Sequence, residues 1–516
     1  MLTGHPTAAS CEQEVASSMH KSTLGIGRTA LRIPHEVSAL LSALQLRRPD
    51  ITPLNDLSDP EWASLLNFSN SAHLTLPIAQ LPMMGFPAWV VEKLKSNLAD
   101  NALRFERTKA TYTEIAETLE RAGVAHAVIK GFTQAPDYVA DPRLRSQSDI
   151  DIFCPLQSVD TAYTALESIG YTPSSLNTDY AHADHQVTLV RLGAWRWQGN
   201  IFDPEMPLGI DLHFCLWNES VSRIPDPGLS LFWERRTRRE VEGLSFACLS
   251  PVDHLGYLAL HILRNLFLGD WTVHLVRELA VFLDSHADDM SFWNNWSETH
   301  SPLLRSFEAI AFYYARAWFN CRLHPLAALE IESLPETRLS WLKAFSGSGL
   351  EVMFEPNKDQ LWLQLSYLSS LSDKWKILKR TLIPARIAPL GDPAVQVRYK
   401  RVIQPGDTHR LVEYLAYLIT RSAAHSRAIF KTFGRALLWR LSDGALSRIR
   451  RRVSTGHIQT QSMFRPVEAI RGIPNQALPK TLLRNRTECP EHVLKIWTGH
   501  ADEGRSDLDL WPPPAA

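Results

Sequence analysis

Two short segments of this chain repeat one pattern, in which aspartate alternates with large apolar residues. The first is Asp-Ile-Asp-Ile-Phe at residues 149 to 153, and the second is Gly-Ile-Asp-Leu-His at residues 209 to 213. Side chains on a β-strand point alternately to its two faces, so each segment places its carboxylates on one face and its apolar residues on the other. The pattern predicts two strands, one carrying Asp149 and Asp151 and the other carrying Asp211.

Strand and helix signals surround these two segments. The apolar run at residues 124 to 130 meets Gly131, which predicts a buried strand followed by a sharp turn. Between Ser158, suited to a helix N-cap, and Gly170, suited to a helix stop, apolar residues recur at helical spacing. A further strand is expected at residues 186 to 192. Strands interleaved with a helix in this way predict an α/β unit.

Helical periodicity dominates on both sides of this unit. The two ends of the chain lack sustained apolar periodicity and are expected to be loosely ordered. We therefore predict an α+β fold, in which a small sheet-containing core is flanked by N-terminal helices and by a larger all-helical C-terminal region. The expected divisions are a flexible N-terminus at residues 1–30, helices at 31–122, the core at 123–250, helices at 251–445 and a tail at 446–516.

The charge balance argues against a polyanionic partner for the chain as a whole. It has 54 basic and 55 acidic residues, so no overall field favours stable binding of nucleic acid or of an anionic membrane. Its six cysteines include no CxxC pair, which fits a reducing compartment. No run reaches the roughly 18 apolar residues of a membrane span, and the start lacks the pattern of a secretory signal. We expect an enzyme of the cytoplasm.

Three aspartates on neighbouring strands indicate a particular chemistry. Carboxylates that share one face repel each other unless a cation lies between them, and their hard oxygens suit Mg²⁺ or Mn²⁺. Asp149 and Asp151 alone are more typical of a turn at a strand end. Asp211 changes this interpretation, because three carboxylates can hold two metal ions about 3.5 to 4 Å apart, as in phosphoryl and nucleotidyl transfer. These three residues are the candidate metal-binding and catalytic groups.

Candidate phosphate-binding residues precede the acidic strand. Lys130 and Gly131 end the first predicted strand, where glycine allows close approach of the backbone to phosphate and a following helix start favours an anion. Arg145 suits phosphate through two parallel hydrogen bonds, and its alternative role is a structural ion pair. Ser148, directly before Asp149, completes this group.

Several histidines are candidates for a supporting role. His213 lies two residues after Asp211, hence on the same strand face, where it can orient a metal ligand. His185, with His182, lies just before a predicted strand, and the alternative for this pair is a polar strand edge. A last set lies on one predicted helix and either lines the cleft or packs in the core: His254, His261 and Arg264.

In these motifs the sequence resembles the uncharacterised nucleotidyltransferases of the DNA-polymerase-beta-like superfamily. The matching segments are AGVAHAVIKG (122–131), DYVADPRLRSQSDIDIF (137–153), the helix that ends at Gly170 and Tyr171, and GIDLHF (209–214). The resemblance extends to EWASLLNFSNSAHLTLPIAQ (61–80) and LSPVDHLGYLALHILRN (249–265). Ile129 stands where the family has leucine, and the turn Gly131-Phe132 replaces the more typical Gly-Ser or Gly-Gly.

The resemblance implies a mixed-sheet nucleotidyltransferase core that uses Mg²⁺ or Mn²⁺ and an NTP. It assigns metal binding to the three aspartates and phosphate binding to Lys130, Gly131 and Arg145. The implied reaction moves NMP, with AMP from ATP as the expected case, to a hydroxyl or phosphate of a small-molecule, peptide or glycan acceptor. Family analogy alone implies natural-product or polysaccharide biosynthesis. The alternatives are a catalytically inactive nucleotide-binding or regulatory protein and a phosphotransferase that uses the same metal site.

Overall fold

Seven short β-strands form one mixed sheet in the computed structural model of this protein. They are β1 (Ala127–Val128), β2 (Asp149–Phe153), β3 (Thr172–Pro173), β4 (Leu189–Val190), β5 (Gly209–His213), β6 (Thr237–Val241) and β7 (Leu244–Cys248). Their order across the sheet is β3-β4-β5-β2-β1-β7-β6. The structure describes residues 33–174, 184–191, 193, 195, 199–269, 273–383 and 409–457.

Helices precede and follow the sheet. In the described part of the chain, those of eight or more residues are α1 (His35–Ala43), α2 (Asp59–Ser71), α3 (Ala88–Arg121), α4 (Val159–Ser168), α5 (Pro251–Leu268), α6 (Val273–Ser285), α7 (Met290–Thr299), α8 (Pro302–Phe319), α9 (Pro325–Glu332), α10 (Glu336–Phe345), α11 (Gln360–Tyr367), α12 (Leu371–Leu382) and α13 (His409–His457). The predicted α+β fold, with a mixed sheet between N-terminal helices and a larger helical region, is confirmed.

The two acidic strands lie side by side at the centre of the sheet. β2 and β5 pair in parallel along their whole lengths. β1 pairs antiparallel with β2, and β7 pairs in parallel with β1. The alternate apolar side chains of the acidic strands are fully buried and join the core with residues of α3 and α4. These core residues include Ile150, Ile152, Ile210 and Leu212 from the strands. Burial of one face fixes the strand register and leaves the aspartates on the other.

The hairpin of β6 and β7 is missing from the sequence prediction. Its turn is Glu242-Gly243, whose φ angles of 49° and 81° match those that two-residue hairpin turns require. In β7, Leu244 and Phe246 are buried whereas Ser245 between them is exposed. This alternation and the turn dipeptide are the local signals for the hairpin.

Local sequence explains the ends of several helices. Ser58 and Glu61 form a capping box at the start of α2. At the start of α5, the Ser250 side chain accepts a hydrogen bond from the backbone of Asp253, and α5 ends at Gly269 with a φ of 80°. These signals place α5 directly after the sheet.

Helix α4 ends as the sequence predicts but begins differently. Gly170 follows it with a φ of 91°, in the left-handed region that favours glycine. Ser158 forms no side-chain cap, because a 3₁₀ turn over Leu156–Ser158 leads into the helix. Ser158 therefore occupies the predicted N-cap position, but its side chain accepts no capping hydrogen bond.

Arg104 on α3 connects the segments that lead into both acidic strands. This side chain is 1% exposed. Its Nε donates to the carbonyl of Gln147 at 2.8 Å, just before β2. Its Nη1 donates to the carbonyls of Asp203 at 3.0 Å and Met206 at 2.8 Å, before β5. A side chain from outside the sheet therefore fixes the approach of its two central strands.

The described residues from 33 to 432 lie in one compact unit, and residues 433–457 of α13 belong to a second. The predicted boundary at residue 445 falls within α13. Residues 1–30 and 458–516, which include the predicted N-terminus and most of the predicted tail, lie outside the described residues. The five-part division stays a prediction. None of the described helices combines the length and apolar character needed to cross a membrane.

Candidate active site

The three aspartates meet across the two central strands. Asp151 on β2 is the direct register partner of Asp211 on β5, and Asp149 is the partner of Gly209. A Cβ at Gly209 would lie 2.9 Å from Thr188 Cγ2, so the glycine leaves room for side chains that line this face. The structure thus brings together the carboxylates that the sequence pattern singled out.

Asp151 is the most enclosed of the three. Its side chain is 3% exposed and accepts hydrogen bonds from Lys130 Nζ at 2.6 Å and from His213 Nε2 at 2.9 Å, both on Oδ1. Burial by itself would raise the pKa of Asp151, but the Lys130 ammonium and the His213 donor hold that pKa well below its usual range. Asp151 is therefore charged at neutral pH.

The pKa values of Asp149 and Asp211 shift in the opposite direction from that of Asp151. Burial and the neighbouring carboxylates, Asp151 foremost, raise the pKa of each to about 7. Thr188 Oγ1 donates to Asp211 Oδ1 at 2.6 Å, which partly offsets this effect for Asp211. The cause is physical crowding of like charges where little water can screen them.

The donors fit a hard divalent cation. One ligand atom from each of Asp151, Asp211 and His213 lies within 4.8 Å of the others, and Asp149 shares the strand face of Asp151. Three carboxylates here face the single ammonium group of Lys130, and a bound cation would relieve the resulting excess of negative charge. Carboxylate oxygens are the ligands that Mg²⁺ and Mn²⁺ prefer.

His213 and His185 lie beside the aspartates as neutral rings. Burial lowers the pKa of His213 to about 4 and lowers that of His185. Their rings are 4.9 Å apart, and the two residues form an isolated β-bridge. His185 Nδ1 contacts the carbonyl of Gln186 at 2.6 Å and lies 3.9 Å from Asp211 Oδ1. His182 lies outside the described residues.

The Lys130-Gly131 turn lies against the acidic strand. Gly131 has a φ of 71°, and a Cβ there would lie 2.2 Å from Gln147 Nε2. That Gln147 nitrogen donates to the carbonyl of Asp149 at 2.6 Å. Burial would lower the pKa of Lys130, but Asp151 outweighs burial and raises it. The backbone conformation favours glycine at residue 131, and any larger residue would also displace the end of the Gln147 side chain.

The other predicted phosphate contacts lie in different settings. Ser148 is exposed directly before the acidic strand. Arg145 Nε donates to Glu278 Oε1 on α6 at 2.9 Å, and both side chains are largely buried. Of the two roles that the sequence left open for Arg145, this structure contains the ion pair.

Helix α5 supplies basic groups to one side of the carboxylates. Arg264 pairs with Asp184, the residue before His185. His261 lies close enough to Lys130 for that ammonium to help lower its pKa, after burial, well below the usual range. His254 instead packs against Tyr138, with ring centroids 5.0 Å apart, and is buried.

Three contacts at this site were not predicted from the sequence. Thr188 occupies a polar position within a predicted strand, so the alternation was a usable signal. Gln147 lies two residues before Asp149 and has no distinctive pattern. Glu278 is 133 residues from its partner Arg145, and no local signal connects them.

A mixed sheet with aspartates on two central parallel strands, beside a Lys-Gly turn, is an arrangement suited to nucleotidyltransferases. The family model described as "Uncharacterised nucleotidyltransferase" matches residues 58–320, from the N-cap of α2 to the end of α8. This protein belongs to that family, and the family resemblance is confirmed. Comparisons with curated proteins and with solved structures gave no match.

Proposed function

We propose that this transferase moves a nucleoside monophosphate, AMP from ATP, to a hydroxyl or phosphate oxygen of an acceptor. The acceptor oxygen forms a bond to the α-phosphorus while the bond from that phosphorus to the β-bridging oxygen breaks, and pyrophosphate leaves. The proposal is supported chiefly by three aspartates gathered on one face of two parallel strands. Catalysis in such a site depends on positioning and on neutralising charge.

Each carboxylate has a role in this proposal. Asp149, Asp151 and Asp211 hold Mg²⁺ or Mn²⁺, which when bound stabilises the attacking and leaving oxygens. Lys130 and His213 keep Asp151 ionised and fixed through their hydrogen bonds to its Oδ1. Asp211 is the residue we assign to take the proton from the acceptor hydroxyl.

The phosphates are assigned to the start of β2, next to Asp149. Gly131 lets the backbone approach the triphosphate, and exposed Ser148 offers a hydroxyl before Asp149. Arg145 is the third phosphate ligand of the proposal, and its Glu278 partner sets the direction of its guanidinium. Helix α5 and the helices after it select the acceptor, since ligands often lie between groups of packed elements. We place the reaction in the cytoplasm, in natural-product or polysaccharide biosynthesis.

The rival functions leave different products. A phosphotransferase would use the same carboxylates but leave ADP and a phosphorylated acceptor. A catalytically inactive nucleotide-binding protein would transfer nothing. Uncompensated like charges are costly to bury, so a protein without metal-dependent chemistry has no physical reason to keep all three aspartates at this site.

Labelled ATP separates these functions. The purified protein is incubated with Mg²⁺ or Mn²⁺, cell extract as the acceptor source, and ATP labelled at either the α or the γ phosphate. Transfer of α label by the wild type, lost in an Asp149→Asn, Asp151→Asn double variant, is the expected result. Asp160→Asn is the matched control, because Asp160 is an exposed aspartate on α4. Transfer of γ label alone indicates a phosphotransferase, and transfer of neither label contradicts the proposal.

A further inference from the structure

A second polar cleft lies next to the candidate active site. The enclosed part of this cleft is small, about 20 Å³, and its mouth is open to solvent. Residues from the N-terminal helical region, from the segment before β2 and from α6 line it. Its polar lining consists of His73, Arg145, Ser146, His274, Arg277 and Glu278.

Two guanidinium groups open into this cleft with unused donors. Arg145 is held through Nε by Glu278, and its two terminal nitrogens donate to no group in the described part of the chain. Arg277 makes neither a hydrogen bond nor an ion pair with any described residue, and its Nε is enclosed by protein. The cleft therefore presents several N–H donors that lack acceptors, beside one unpartnered carboxylate oxygen, Oε2 of Glu278.

The charges of the cleft do not balance. Glu278 supplies one carboxylate against two guanidinium groups. His73 and His274 add no charge, because burial lowers the pKa of His73 to about 4 and that of His274 well below its usual range. Burial likewise lowers the pKa of Arg277 to about 10, as expected of a cation without a close partner. A partly buried and unpaired cation is unfavourable for a protein, and such features are found where a ligand supplies the missing partner.

We propose that the cleft lined by Arg145 and Arg277 binds a phosphoryl group of a substrate. Two guanidinium groups provide planar donor pairs that match the oxygens of a phosphate. The other polar groups of the lining are Ser146, whose Oγ lies 2.7 Å from His73 Nδ1, and the His274 ring, whose Nδ1 has no partner among the described residues.

Arg145 connects this cleft to the acidic strand. Its guanidinium is close enough to Asp149 to favour the charged form of that carboxylate. A phosphoryl group in the cleft therefore lies on the Asp149 side of the proposed metal site. The assignment of that group to a substrate rests on the proposed function, and it has two sources: the triphosphate of the NTP or a phosphate on the acceptor.

Calorimetric titration of the full-length protein with inorganic pyrophosphate tests the cleft directly. The Arg277→Gln variant is expected to bind pyrophosphate at least about tenfold more weakly than the wild type, since it loses a charge-assisted contact. Arg277→Lys keeps the positive charge but lacks the paired N–H donors of a guanidinium group. Its affinity for pyrophosphate is therefore expected to fall less than that of Arg277→Gln. Arg322→Gln is the matched control, because Arg322 is half-exposed and pairs with Asp288 at the surface.

Two further titrations separate the sources. Weaker binding of a non-hydrolysable ATP analogue to Arg277→Gln assigns the cleft to the NTP. Unchanged binding of the analogue, combined with weaker binding of inorganic phosphate to the analogue-saturated variant, assigns it to the acceptor. Thermal unfolding checks that each variant is folded, and removal of an unpaired, partly buried cation is expected to leave the melting temperature equal or higher.

Different results would contradict the cleft proposal and the proposed reaction. If Arg277→Gln, folded, binds pyrophosphate, phosphate and the ATP analogue as tightly as Arg322→Gln does, the cleft proposal is overturned even where α label is transferred. If pyrophosphate binding depends on Arg277 while no α label is transferred, the cleft stands and the proposed reaction does not.

Discussion

Asp151 and Asp211 stand directly opposite each other on two parallel strands. Like charges in this position destabilise a strand pair, and burial strengthens the effect because little water screens them. Lys130 neutralises only one charge of the three aspartates that share this face. The sheet therefore contains an electrostatic repulsion, which raises the pKa of Asp149 and of Asp211 and which a bound cation would relieve.

The first prediction concerns Asp211→Asn. This change keeps an oxygen for Thr188 but removes one of the opposed charges, so the metal-free protein is expected to gain about 1 kcal/mol of stability. Mn²⁺ at one hundred times its dissociation constant is expected to stabilise the wild type by about 2.7 kcal/mol. The variant is expected to gain far less stability from Mn²⁺. Scanning calorimetry with EDTA and with Mn²⁺ measures both effects. A variant that melts lower and still responds to Mn²⁺ would falsify this account.

The second prediction tests whether His213 acts through its hydrogen bond to Asp151 or only by filling space in the fold. His213→Ala removes a donor to Asp151 and is expected to lower transfer activity by about 10- to 100-fold. His213→Gln restores an N–H and is expected to recover part of the activity. Steady-state assays of both variants, alongside their apparent affinity for Mn²⁺, make the comparison. Equal loss in the two variants at unchanged metal affinity would argue against the hydrogen bond.

The third prediction concerns the Gly131 turn. Gly131→Ala places a methyl group on Gln147 and forces a left-handed backbone onto alanine, which alone costs about 1–2 kcal/mol. Adding Gln147→Ala removes the clash but not the backbone cost. Chemical denaturation of the single and double variants is expected to find the double variant the more stable of the two. If the single variant is as stable as the wild type, neither constraint operates at residue 131.

The fourth prediction is a pH dependence of stability that arises outside the candidate active site. His300 is buried with Nδ1 2.9 Å from Glu308 and Nε2 3.6 Å from Asp253. Burial would lower the pKa of His300, but these carboxylates outweigh it and raise the pKa to about 9. Because the folded-state pKa exceeds the unfolded value of about 6.5, this stabilisation is complete below pH 6.5. It is lost as the pH rises toward 9.

Denaturation at pH 6, 7.5 and 9 checks this prediction. Between pH 6 and pH 9, the free energy of unfolding of the wild type is expected to fall by on the order of 2–3 kcal/mol more than that of His300→Gln. Comparison with the variant cancels the titration of other groups. Parallel pH profiles for the two proteins would mean that His300 is not charged in the folded state.

The candidate site was predictable from the sequence where its signal is local. The alternation around Asp149, Asp151 and Asp211 fixes which face each carboxylate occupies, and burial of the isoleucines enforces that register. Lys130 and Gly131 were also located by a strand followed by a glycine. Strand alternation therefore carries most of the information about the carboxylates.

The rest depends on contacts between residues that are distant in the sequence. No periodicity relates Arg145 to Glu278, since helix packing rather than local pattern brings α6 to the segment before β2. His254 and His261 lie seven apart on one helix, yet His254 packs on Tyr138 and His261 near Lys130. The β6–β7 hairpin was missed for a different reason, because its turn, Glu242-Gly243, is a less familiar form of the hairpin signal.

Arg104 makes the sheet dependent on a helix outside it. The carbonyls that it holds precede β2 and β5, so the spacing of the two acidic strands is set partly by α3. The family match over residues 58–320 includes α3 and both acidic strands. The sheet and α3 are therefore expected to depend on each other for correct folding. A chimaera could combine α3 of one family member with the strands of another. The aspartates would lie opposite each other there only if the arginine of α3 still reached the carbonyl groups that precede both acidic strands.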